Sequence, residues 1–71
     1  MNYNEWAEEY FNDAENIMKT IEKYKNLLDS GDETNEENIN SIIAFYRYVY
    51  YDLINTGKML RERGKKAENA A

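Results

Sequence analysis

The sequence predicts an all-α fold: an antiparallel two-helix hairpin that pairs with a copy of itself as a four-helix bundle. Three observations carry this. The apolar residues recur in alternating steps of four and three, they break once near residue 31, and the 71-residue chain contains no proline to break them elsewhere.

The first helix is predicted over about residues 3–30. Its seam reads Tyr3, Ala7, Tyr10, Ala14, Ile17, Ile21, Tyr24 and Leu28, a heptad stripe on one side of a helix. Trp6, Phe11, Met18 and Leu27 flank and widen it, and the opposite positions are Glu, Lys and Asn. The break is "DSGDETNEEN". Gly31 suits the left-handed conformation that ends a helix, and Thr34 with Glu37 has the form of a capping box for the next one. A turn of about 31–34 is short enough to make the two helices antiparallel neighbours.

The second helix is predicted over about 35–63, within a hairpin of residues 1–64. Its inward stripe is Ile39, Ile43, Tyr46, Tyr50, Leu53, Gly57 and Leu60, with Ile42, Val49 and Ile54 at its margins. Folding about the turn sets Trp6 and Tyr10 near Gly57, large against small. It also sets Glu5, Glu8, Glu9, Asp13 and Glu15 beside Lys58, Arg61 and Arg63, an arrangement that suits both the ion pairs and the helix dipoles. Residues 65–71 lack apolar periodicity and read as a flexible tail. The aromatic run 44–51 would also suit a strand, but no second strand exists to pair with it and the helical period continues on both sides.

At 100° per residue the aromatic run splits between two faces. Tyr46 and Tyr50 face the first helix, whereas Phe45, Tyr48, Asp52 and Met59 form a second stripe on the far side, with Tyr51 beside it. Trp6 and Phe11 lie at the edges of the first helix, where one partner helix does not cover them. A core of this size rarely supplies more than ~3–5 kcal/mol net, and burying each further large side chain is worth roughly 1.5–3 kcal/mol. Covering this surplus therefore rivals the stability of the monomer. Phe45, Tyr48, Tyr51, Asp52, Met59, Trp6 and Phe11 are the expected interaction surface. Its partners are a second copy, as a homo-oligomer and in the simplest case a dimer, and another protein.

Composition narrows the chemistry. There are no cysteines, hence no disulfide framework, and no histidines, hence neither the commonest general base nor the commonest zinc ligand. The many carboxylates lack the Glu-x-x-His pairing of di-metal bundles, and the acidic turn lacks the ligand spacing of a calcium loop. Neither a nucleophile motif nor a phosphate-cradling glycine loop is present. The reading is therefore non-enzymatic, with no catalytic, cofactor or metal-binding residue expected. A net charge of −5 argues against nucleic acid as a partner. No apolar run reaches the ~20 residues needed to span a bilayer, and no signal peptide is legible at the start, so the expected location is the cytoplasm. A small phage or mobile-element inhibitor of a host protein is the more specific form of this reading. The alternative is an oligomeric nucleotide binder, with tyrosines and basic C-terminal residues lining pockets between protomers.

Overall fold

The computed structural model describes residues 2–31 and 36–70, with two helices and no strand among them. Helix α1 spans Tyr3–Asp29 and α2 spans Glu36–Ala70. At 1.5 Å per residue these are rods of about 40 and 52 Å. They lie side by side as a hairpin whose principal extents are 58 × 14 × 14 Å.

The ends of α1 follow from local chemistry. Asn2, in extended conformation, caps the helix: its side-chain oxygen accepts from the Glu5 amide at 2.8 Å. The other end closes through the Ser30 amide donating to the Asn26 carbonyl and the Gly31 amide donating to the Leu28 carbonyl. Gly31 has a φ of 86°, the left-handed cap expected of it. Thr34 and the expected capping box lie outside the described residues.

The core is the expected seam. Ala7, Ala14 and Ile21 of α1 and Ile39, Ile43 and Leu60 of α2 are buried, and so are Gly57 and Gly64. The two ends of the hairpin are packed differently. Near the turn, Ile21, Ile39 and Ile43 cluster with Ile17, Tyr24, Leu28 and Tyr46 packed against them. Tyr24 and Tyr46 stack across the hairpin with ring centroids 5.9 Å apart. Toward the open end the buried positions are small, Ala7, Ala14, Gly57 and Gly64, apart from Leu60, and the Phe11 ring lies across the gap at Gly57.

Two expectations are corrected here. The residue seated on Gly57 is Phe11, not Trp6 or Tyr10: a Cβ at position 57 would lie 2.8 Å from the Phe11 ring. Phe11 stands well off the seam by helical rotation, but with no side chain at 57 its ring can swing across the gap. Second, α2 does not stop near 63 but continues to Ala70. Gly64 is buried against Tyr3 and Asn4, and the Asn4 amide donates to the Glu68 carboxylate at 3.2 Å. These last turns are held by a glycine contact and a polar bridge, which an apolar repeat does not register.

Replacing a helical glycine with alanine ordinarily gains about 1 kcal/mol. At Gly57 that gain is opposed by displacement of the Phe11 ring. In a Phe11→Ala background, Gly57→Ala should stabilise by about that amount in urea unfolding, whereas in the wild-type background the gain should be lost or reversed.

Candidate interaction surface

The outward stripe follows from rotation about α2. With Ile43, Tyr46, Tyr50 and Gly57 held against α1, residues 45, 48, 52 and 59 are carried away from it. Tyr48 is 73% exposed, Tyr51 63% and Phe45 62%, and Met59 and Asp52 are exposed as well. On α1, Trp6 and Leu27 are exposed. Phe45 contacts Tyr46 edge-on at 5.7 Å, and Tyr51 contacts Tyr50 in the same way at 5.5 Å. Phe45 and Tyr51 thus each lean on an inward ring of their own helix and stay largely open to solvent.

Phe11 stands apart from these residues. It is half-buried over Gly57, and the Arg61 guanidinium carbon lies 4.6 Å from its ring centroid, a cation–π contact. Arg61 also reaches Glu8 across the hairpin at 3.8 Å, one of the ion pairs expected between the acidic start of α1 and the basic end of α2. That pair is exposed at both ends, so it adds little stability. Its geometric value is greater: Glu8, Phe11, Gly57 and Arg61 form one connected edge at the open end. Trp6 is instead stacked on Tyr3 at 6.4 Å.

Among the described residues no three His, Cys, Asp or Glu side chains converge as metal ligands. No buried side-chain nitrogen or oxygen among them lacks a hydrogen-bond partner. Among the described residues no helix is long and apolar enough to cross a membrane. Two concavities among the described residues are shallow clefts. One, of about 550 Å³, is lined by Glu36, Glu37, Asn40, Ser41 and Ala44, and the other, of about 270 Å³, lies around Tyr3, Gly64 and Glu68. Neither gathers the aromatic side chains. Compared with protein-family models, curated proteins and solved structures, the chain matches none of them.

The division of the aromatic run is directly measurable. Tyr46→Ala removes a ring stacked on Tyr24 beside the core and should cost roughly 2 kcal/mol in chemical denaturation. Tyr48→Ala removes an exposed ring and should fall within about 0.5 kcal/mol of wild type.

Proposed function

We propose that this protein is a non-enzymatic protein–protein interaction module, a helical hairpin that associates with a second copy as a four-helix bundle and binds another protein. The observation that carries the reading is the exposure of Phe45, Tyr48, Tyr51, Met59, Trp6 and Leu27 on a hairpin of only two helices. Single exposed apolar residues are ordinary on a protein surface. Here they follow helical stripes, on a fold whose own core is thin. Water-exposed aromatic stripes of this kind mark contact surfaces, and aromatic and methionine side chains are enriched in interface cores.

The acidic net charge gives the module a further bias. At −5 the chain is repelled by nucleic acid and by anionic lipid, and it favours partners with a basic face. The back of α2, with Tyr48 and Asp52, offers an aromatic and carboxylate stripe for such a protein.

Light scattering or sedimentation equilibrium on the purified chain at micromolar concentration should give twice the 8.5 kDa chain mass. A mass of one chain across that range would remove self-association from the proposal.

A further inference from the structure

The two broad flanks of the hairpin, each made by both helices, differ in charge, and we infer that the bundle forms through the one that is nearly free of it. This inference rests on the self-association proposed above and names the face. The contacts Glu8–Arg61 and Phe11–Arg61 mark one flank, and helical rotation puts Glu15, Glu22, Lys25, Arg47 and Lys58 on it as well. The other flank carries Ile17, Tyr24 and Leu27 from α1 and Ile42, Phe45 and Val49 from α2 over the half nearest the turn, with Asp52, one heptad beyond Phe45, at its outer edge. Leu27 is 50% exposed and the others range from half-buried to exposed. Thr20, at the centre of this strip, already donates its hydroxyl to the Asn16 carbonyl at 3.2 Å, so covering it strands no donor.

Three arguments make the occupant a second copy. The first is shape. A contact through the back of α2 alone, around Tyr48, would set four helices in a row and leave Leu27 and Trp6 uncovered. A bundle needs a face to which both helices contribute. The second is charge. Two chains of −5 repel one another, and this flank puts fewer carboxylates and basic side chains under a second copy than the flank marked by Glu8 and Arg61. The third is area. From Trp6 to Leu27 the flank is about 32 Å long and two helices wide, roughly 600 Å² in projection. That is close to the ~800 Å² per partner of a stable interface.

The two-fold axis follows from the uneven charge along the flank. Its open half carries Asp13 and Arg63 well within the strip, whereas in its turn half the charges, Lys23 and Asp52, stand at the outer edges. An axis along the hairpin lays turn half on turn half over the full length, so that α1 of one copy faces α2 of the other, antiparallel. Since Tyr24 is level with Tyr46 within one chain, Leu27 and Tyr24 then meet Ile42 and Phe45 of the second copy. An axis across the hairpin would, at full overlap, lay the apolar half on the charged one. The back of α2, with Tyr48, stays outside the bundle and free for a different protein.

The test uses the full chain and substitutions at exposed positions, with circular dichroism to confirm that helicity is kept. Leu27→Glu and Phe45→Lys should each halve the mass seen by light scattering, raising the dimer dissociation constant at least tenfold, whereas Tyr48→Glu should leave it unchanged. Mixing the Leu27→Glu and Phe45→Lys chains should restore a dimer, because each glutamate then faces a lysine. If Leu27→Glu remains dimeric, or Tyr48→Glu dissociates, the flank is wrong while self-association stands. If the two variants are monomeric alone and also when mixed, the lengthwise axis falls. A wild-type chain of single mass overturns this inference together with the reading it rests on.

Discussion

The hairpin is aligned by one contact, the Phe11 ring laid over Gly57 with the Arg61 guanidinium against it. Apolar seams of leucine-like residues can slide by a heptad at modest cost, because each step replaces one hydrophobic contact with another. A ring over a missing side chain cannot slide, since the neighbouring positions of α2 carry Cβ atoms where the ring would go. With that point fixed, Glu8 meets Arg61, Gly64 meets Tyr3 and Asn4, and Glu68 comes within reach of the Asn4 amide. The isoleucine cluster near the turn supplies apolar burial, and the glycine contact at the open end supplies register.

Two helices alone can cover each other along only one stripe. The fully buried side chains are few and small, Ile21 being the largest with almost no exposure, while tyrosines at inward positions remain half open. Among the described residues no charged group is buried. The arrangement therefore avoids the desolvation cost of buried ions but also leaves apolar surface uncovered, and that surface divides into two kinds. The charge-poor flank uses both helices and has the breadth of a bundle core. The back of α2 is narrow, aromatic and edged with polar side chains, the character of a surface that meets a smaller or transient partner.

How much of this was legible in the sequence depended on whether a feature repeats. The two helices, the antiparallel hairpin, the left-handed Gly31 and the buried stripe from Ala7 to Leu60 all follow from period and local chemistry. So does the outward placement of Tyr48, Tyr51 and Met59. What escaped is non-repeating: Phe11 reaching from the edge of its helix, the extension of α2 past Gly64, and the N-cap made by Asn2. The two buried glycines were the available signal, since a glycine inside a helix without a kink or cap invites the question of what approaches it. The outer stripe read from α2 alone also obscured the flank, because a face shared by two helices becomes visible only once their alignment is known.

The position of Trp6 has a consequence for spectroscopy. It is the chain's single tryptophan, and it sits in the first two turns of α1, stacked on Tyr3 at the end of the molecule farthest from the turn. Its emission therefore samples the alanine- and glycine-lined end, while the isoleucine cluster contributes nothing to it. Helix ends loosen before helix centres, so tryptophan emission and ellipticity will describe different parts of one rod as it melts. Non-coincident transitions would then record where the only indole stands, with no need for a populated folding intermediate.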